Sequence, residues 1–480
     1  MTYAFTFDAK FCSGCKACQA ACKDKNNLPA GVLWRRVYEV SGGTWQQAGG
    51  AWTNSVFAYN LSMSCNHCEH PKCAGVCPVN AYSIREGGIV FLDTTKCMGC
   101  GYCAWACPYG APQYNPKAGH MTKCDFCLDQ LELGLPPACV AACPMRVLDV
   151  TESGEQTEEN SLEADGSGQM ELWNTPGTEH PFPLPAFSRT EPHLAIRPHP
   201  AMNNAQEKTL ANVEEIEPRR LSPREEAPLI LFTLLGQLAV GGYWTMSLLF
   251  QPLWIFTERF APSLRLIPVA VVGISLGLAL AASFAHLGTK RNAWRALTHL
   301  SHSWLSREIL FAGLFGLGWL VSAGELLLLG TTSMVTMGIA SALGLGLVYS
   351  MAQVYRLRSA PGWDSPHTNA GFLVTAALMG SALMTPLLAH QSEAAGIQIP
   401  PSLPLFSAIG ILILLSIQII LGSWQKQSSP LRLGLILLGM ALTVAGAIRY
   451  NAWLGIFIFV VVVAEEFIGR WRFYQSRLQV

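Results

Sequence analysis

Sixteen cysteines lie between Cys12 and Cys143, and none follows. They form four groups of four: Cys12, Cys15, Cys18, Cys22; Cys65, Cys68, Cys73, Cys77; Cys97, Cys100, Cys103, Cys107; and Cys124, Cys127, Cys139, Cys143. Groups one and three share the spacing C-x2-C-x2-C-x3-C, and groups two, three and four each end in Cys-Pro. A tight C-x2-C-x2-C turn sets three sulfurs around one cubane, while a fourth cysteine beside a proline points away to the neighbouring cluster. Sixteen thiols in this pattern are the complement of four [4Fe–4S] clusters, with none left over. A disulfide framework is open to any even cysteine count, but gives no reason for the repeated spacing. Zinc takes two CxxC pairs per metal, and group four alone could supply half of such a site. Crosswise ligation implies that groups two and three pair, with groups one and four paired around them.

Half of the residues are hydrophobic and only 13% are charged, low for an average soluble protein. The formal net charge is zero, so nothing in it points to a nucleic-acid partner. There is no P-loop, and the glycines near Gly344 and Gly346 lie in apolar runs, where they read as membrane-helix packing. Three parts are expected: a cysteine-bearing α+β domain over residues 1–150, an extended tail and linker over 151–226, and an all-α membrane part over 227–480. The tail carries many prolines and the acidic clusters Glu155, Glu158, Glu159 and Glu214, Glu215, Glu217, and is expected to pack along the first domain. Met1–Lys10 has no basic region, apolar stretch or twin arginine, so export is expected to depend on a partner's signal. Between groups one and two, alternating apolar residues around Gly42-Gly43 and Gly49-Gly50 predict short hairpin strands, with Trp45 and Trp52 as hairpin packing.

Eight apolar runs approach spanning length, at 229–250, 266–287, 309–329, 334–355, 370–390, 402–422, 431–449 and 452–468. Eight spans put both ends on one side. That side collects Arg219, Arg220, Arg224, Lys290, Arg291, Arg295, Arg307, Arg356, Arg358, Lys426, Arg432, Arg470, Arg472 and Arg477; the other has Arg259, Arg265 and Arg449. The bias predicts a cytoplasmic cysteine domain at the bacterial inner membrane. Only His286 and His390 lie within the spans, on opposite sides, so no bis-histidine haem site is expected. His286, at a span end on the cysteine-domain side, is the leading candidate to hydrogen-bond a quinol and take its proton. Glu308, at the start of the third span, could be a second proton acceptor, although a carboxylate at a helix N-terminus is also favourable without any function. Glu466 and Arg470 are expected to pair, and Glu325 and His390 to cap or snorkel.

The first 150 residues resemble the iron–sulfur subunit of the dimethyl sulfoxide reductase family of molybdenum enzymes. The matching stretches are Cys12–Lys23, Ser64–Glu69, Ala106–Tyr114 and Gly119–Asp125. Pro192–Pro200 resembles the tail of the same subunit, which puts the fusion point at Asn203–Glu226. The membrane part resembles that family's eight-span anchor at Ser283–Thr289, Arg295-Ala296, Ser306–Ile309 and Ala464–Tyr474. The resemblance implies a ferredoxin-like tandem dicluster domain fused to an eight-helix transmembrane quinone anchor without haem. It implies four ligand sets: Cys12, Cys15, Cys18, Cys143; Cys124, Cys127, Cys139, Cys22; Cys65, Cys68, Cys73, Cys107; and Cys97, Cys100, Cys103, Cys77. It also implies quinone binding at the histidine matching His286. The expected role is electron transfer between membrane quinol (menaquinone or ubiquinone) and a molybdopterin catalytic subunit holding molybdenum or tungsten. Entry is expected through the group one and four pair. Reverse flow, as in a cytoplasmic sulfite dehydrogenase or in formate and polysulfide systems, is the alternative. Relatives that hold this domain outside make the periplasmic face the alternative location.

Overall fold

The computed structural model describes residues 2–153, 184–185, 187–203, 212–213, 223–254, 262–394, 402–424, 429–448 and 452–476. The protein divides into two compact units, Met1–Arg220 with Gly288–Arg295, and Leu221–Leu287 with Ala296–Val480.

In sequence order the first unit runs β1 (Thr2–Asp8), α1 (Ala17–Lys25), β2 (Arg36–Gly42), β3 (Trp45–Ala48), β4 (Ala51–Asn54), β5 (Phe57–Met63) and α2 (Lys72–Val76). It continues with β6 (Tyr82–Ile84), β7 (Val90–Leu92), α3 (Tyr102–Ala106), β8 (Gln113–Asn115), β9 (His120–Thr122), α4 (Leu128–Leu131) and α5 (Ala138–Ala141). It closes with β10 (Leu148–Ser153), β11 (Leu194–Arg197) and β12 (Asn212–Val213). The apolar alternation of β1 buries Phe5 and Phe7, and Phe5 stacks on Phe126 with centroids 4.2 Å apart. β1 is the middle strand of the order β10-β1-β11, antiparallel to β10 and parallel to β11. β12 adds to β2, which pairs with β5. The described parts of the tail therefore run along this unit as added strands, while both acidic clusters lie outside the described residues.

One hairpin forms where a glycine pair predicts it, β3 with β4 across Gly49-Gly50; Gly42-Gly43 turns none, because β2 pairs with β5 and not with β3. The tryptophans differ from expectation. Trp45 and Trp52 are 62% and 63% exposed, because β3 and β4 make a two-stranded ribbon with no second layer against it.

The second unit is a helical bundle of α6 (Pro223–Trp254), α7 (Pro262–Ala285), α8 (Trp304–Leu329), α9 (Met334–Tyr355), α10 (Pro366–Ala394), α11 (Ser402–Trp424), α12 (Pro430–Ile448) and α13 (Ala452–Gln475). Seven of these, α6 to α12, are long and apolar enough to cross a membrane. α13 fills the place of the eighth span and carries Glu465, Glu466, Arg470 and Arg472 in its second half. α8 begins at Trp304, earlier than the apolar run, which puts Glu308 inside its second turn. The basic side of the bundle needs a correction. Arg432 and Arg470 lie inside helices at 5% and 6% exposure, so they are not loop charges. Removing them leaves the bias on the same side; Arg219, Arg220, Arg259, Lys426, Arg449 and Arg477 lie outside the described residues.

The helices pack as two rings of four. α6, α7, α8 and α9 contact in sequence and close α9 onto α6; α10, α11, α12 and α13 close α13 onto α10. The rings share the α6–α10 seam. There, a side chain at Gly241 would run into the Ala376 carbonyl and Gly380, and one at Gly380 would run into the Gly241 backbone. In a bilayer, where apolar burial adds little between helices, such close backbone approach is what holds them together. Gly344 and Gly346 serve likewise, against Phe315 and Phe311. A Gly241→Val substitution is expected to split the seam, with an overpacking loss of about 1–3 kcal/mol or more. A thermal unfolding transition in detergent should fall by several degrees, and an unchanged midpoint would refute this packing.

Candidate iron–sulfur centres and membrane-end polar sites

One local backbone device recurs in all four cysteine groups. The second residue after the first cysteine takes a left-handed conformation: Gly14 (φ 68°), His67 (43°), Gly99 (73°) and Phe126 (67°). The third residue after each Cys-Pro cysteine does the same: Asn80 (47°), Gly110 (60°) and Arg146 (56°). Left-handed turns bring amide N–H groups back onto the thiols. Gly99 N donates to Cys97 Sγ and Phe126 N to Cys124 Sγ, each at 3.4 Å. Ala81 N donates to Cys77 Sγ at 3.4 Å and Ala111 N to Cys107 Sγ at 3.5 Å. Holding a non-glycine residue in this region costs about 1–2 kcal/mol. For His67 and Phe126 that is offset by complete burial, with their rings edge to face at 5.1 Å.

The short helices pair as the cysteine groups do. α1 packs on α5, and α2 on α3. The thiols that repel one another follow the same pattern: Cys12 is raised by burial and then by Cys18, Cys143 and Cys15. Cys22 is pushed up to about 11 by burial and then by Cys139. Cys68 is pushed up to about 12 by burial, with Cys65 and Cys107 adding to it. Cys100 is pushed up to about 12 by burial, with Cys77 and Cys97 adding to it. Cys65, Cys68 and Cys73 of group two and Cys107 of group three wall one cavity of about 370 Å³. All sixteen cysteines are free thiols, and among the described residues no three ligand side chains are close enough for a single metal ion. Buried thiols of this kind ionise when a cation replaces the proton, which is the chemistry iron supplies. The residues fit iron–sulfur clusters.

Two buried cations stand among these thiols. Arg35 is 2% exposed, donates to Ser62 Oγ at 3.1 Å and Ser64 Oγ at 2.9 Å, and lies over the Phe5 ring. Burial works against its charge, while Cys139, Cys124, Cys18 and Cys22 favour it. Lys123 is 4% exposed and donates to the carbonyls of Val90 and Cys124.

Gly288–Arg295 belongs to this unit by its contacts. Thr289 N donates to Met98 O at 3.0 Å, and Asn292 Nδ2 donates to Thr95 O at 2.8 Å and Cys97 O at 2.9 Å. Gly288, Gly99 and Gly119 meet where a side chain on Gly288 or Gly99 would overlap the Gly119 carbonyl. The segment that follows His286 is thus fastened to the group three loop.

In the second unit, His286 follows α7 half-buried, its Nδ1 enclosed beside the Ala282 and Ser283 backbone. Glu308 is 3% exposed on α8. No hydrogen bond joins the two among the described residues. Glu325 caps α9, accepting from Ser333 N at 2.8 Å and Thr336 Oγ1 at 2.7 Å, and His390 is exposed near the end of α10. Glu466 and Arg470 do not pair as the sequence suggests. Arg432 Nε bonds Glu465 Oε1 at 2.6 Å, Glu466 accepts from Thr375 Oγ1 at 2.9 Å and Gln418 Nε2 at 2.6 Å, and Arg470 donates to Gln237 at 2.7 Å. Sequence reading misses this network because its members come from α6, α10, α11, α12 and α13. The one local signal is a pair of glutamates inside an apolar run.

The comparisons with known proteins fall on the same two parts. Residues 222–475 match the family model of the DMSO reductase anchor subunit (DmsC), and residues 56–153 match a 4Fe-4S dicluster domain. The protein is similar to one component of the anaerobic dimethyl sulfoxide reductase of Escherichia coli, 44% identical over 216 residues, covering 45% of this protein and 98% of that one. It is also similar to a subunit of the tetrathionate reductase of Salmonella typhimurium, 41% identical over 29% of this protein and 54% of that one. The thiosulfate reductase electron transfer subunit PhsB of Salmonella typhi is 42% identical over 30% of this protein and 73% of that one.

Removing the buried cation tests the electrostatics of the thiol cages. Arg35→Gln is expected to lower cluster reduction potentials on the order of 100 mV, the effect of a unit charge several ångströms away at an effective dielectric near 20. A redox titration of a variant that keeps its iron would show this, and unchanged potentials would contradict it.

Proposed function

We propose, from the premise that this protein belongs to the DMSO reductase anchor subunit (DmsC) family and carries a 4Fe-4S dicluster domain ahead of the anchor, that it passes electrons between membrane quinol and a molybdopterin catalytic subunit. The observation that carries this reading is the cavity walled by Cys65, Cys68, Cys73 and Cys107, three thiols from one group and one from the next. It supports crosswise ligation, and with it the other three sets: Cys12, Cys15, Cys18, Cys143; Cys124, Cys127, Cys139, Cys22; and Cys97, Cys100, Cys103, Cys77. Four [4Fe–4S] clusters bound there supply one-electron steps between a two-electron carrier and a distant catalytic centre. The protein's own part is to hold the thiols, aim amide N–H groups at them and place Arg35 and Lys123 beside them, which favours the reduced state.

His286 and Glu308 are the proposed quinol-binding residues. A half-buried imidazole can accept a quinol hydroxyl proton, and a buried carboxylate can take the second. Electrons are proposed to enter the clusters from this end of the membrane part.

The basic loops support the bacterial inner membrane with the iron–sulfur unit on the cytoplasmic face; a twin-arginine leader on the catalytic partner would instead put it on the periplasmic face. The relatives serve dimethyl sulfoxide, tetrathionate and thiosulfate reductases, so reduction of a small oxidised sulfur compound is the proposed use. The same parts run in reverse for a donor such as sulfite.

His286→Ala is expected to slow cluster reduction by a water-soluble quinol at least tenfold, read by stopped-flow absorbance, while iron content stays at the wild-type level. Reduction at the normal rate would remove His286 from the site. Failure of a large pterin-containing subunit to co-purify with the full-length protein would remove the proposed partner.

A further inference from the structure

The ring of α10–α13 holds a polar cavity that the proposed electron path does not use. It is lined by Thr368, Gly371, Phe372 and Thr375 of α10, Gln418 of α11, Arg432 of α12, and Glu466, Gly469, Arg470 and Phe473 of α13. Most polar atoms around it are partnered within the network already described. Three are not: Arg432 Nη1, Arg470 Nε and Glu465 Oε2 are buried without a hydrogen-bond partner among the described residues. The two arginines line the cavity and are 5% and 6% exposed. A buried donor left unpaired is unfavourable by about 1–3 kcal/mol, and more for a charged group. Two of the three are guanidinium donors on the cavity wall, open to an acceptor placed in it.

The chemistry around it selects among acceptors. Glu465 and Glu466 balance Arg432 and Arg470, so a phosphate or other anion would meet two carboxylates. Phe372 and Phe473 give aromatic walls, with the Arg470 guanidinium 3.8 Å from the Phe372 ring centroid. A neutral, flat, lipophilic ring with oxygen acceptors matches both the walls and the free N–H donors. The place in the fold repeats too. In the first ring, His286 and Glu308 lie where the second helix ends and the third begins. In the second ring, Gln418 lies near the end of α11 and Arg432 near the start of α12, the corresponding corner. We propose that this cavity is a second quinone-headgroup site, with Arg432 Nη1 and Arg470 Nε donating to the carbonyl oxygens.

Gly371 supplies a test that leaves every polar residue in place. A side chain there meets nothing within 4 Å, so Gly371→Leu fills the cavity from its own wall. The full-length protein is assembled with its clusters in lipid nanodiscs, and radiolabelled menadione bound per polypeptide is measured by equilibrium dialysis. Wild type should bind two equivalents, and His286→Ala and Gly371→Leu one each. The double variant should bind none. Arg470→Lys, which keeps the charge and loses Nε, should weaken the Gly371-sensitive equivalent at least tenfold. A His286→Ala protein that binds no menadione overturns this second site. So does one equivalent that persists unchanged through Gly371→Leu and Arg470→Lys, as occupancy by water or lipid alone would give. Two equivalents retained in His286→Ala, with one lost in Gly371→Leu, would remove the first site and support the second.

Discussion

The convergence of thiols from different segments onto shared cages is the constraint on which the first unit depends. Its strands are short and its helices mostly a single turn, too little regular structure to specify a fold alone. What orders it is the requirement that Cys107 reach the cage of Cys65, Cys68 and Cys73, thirty or more residues upstream. The left-handed residues at Gly14, His67, Gly99 and Phe126 let each loop wrap a bound group. The buried pair Phe5 and Phe126 then locks the first strand to the fourth loop.

The membrane unit solves a different problem with different means. Its helices are apolar all round, so patterning cannot choose their neighbours. Glycine seams choose them at Gly241 and Gly380, and a buried ionic network chooses them at the other end. Both devices connect the first helix of the membrane part to the later ones. The segment Gly288–Arg295 is fastened to Met98 and Cys97 by Thr289 and Asn292, within the first unit.

Much of this is legible in residue order. Local spacing fixes local turns, so the cysteine groups, the hairpin at Gly49-Gly50, and the helices in the membrane part can be read directly. Glu325 as a cap follows from its place at a helix end. What escapes is whatever depends on segments far apart in sequence. Arg432 and Arg470 look like loop cations in a hydropathy reading, yet each is buried against residues from other helices. Trp45 and Trp52 look like core residues by type, but a ribbon without a second layer leaves them exposed. The docking of Gly288–Arg295 on group three is likewise a tertiary fact that no periodicity encodes.

The central claim is that these thiol cages hold iron as cubanes in crosswise sets. Iron and acid-labile sulfide per polypeptide, measured on the anaerobically purified full-length protein, test it most directly. The account predicts sixteen of each, from four clusters of four. Eight or fewer irons, or zinc in place of iron, would contradict it.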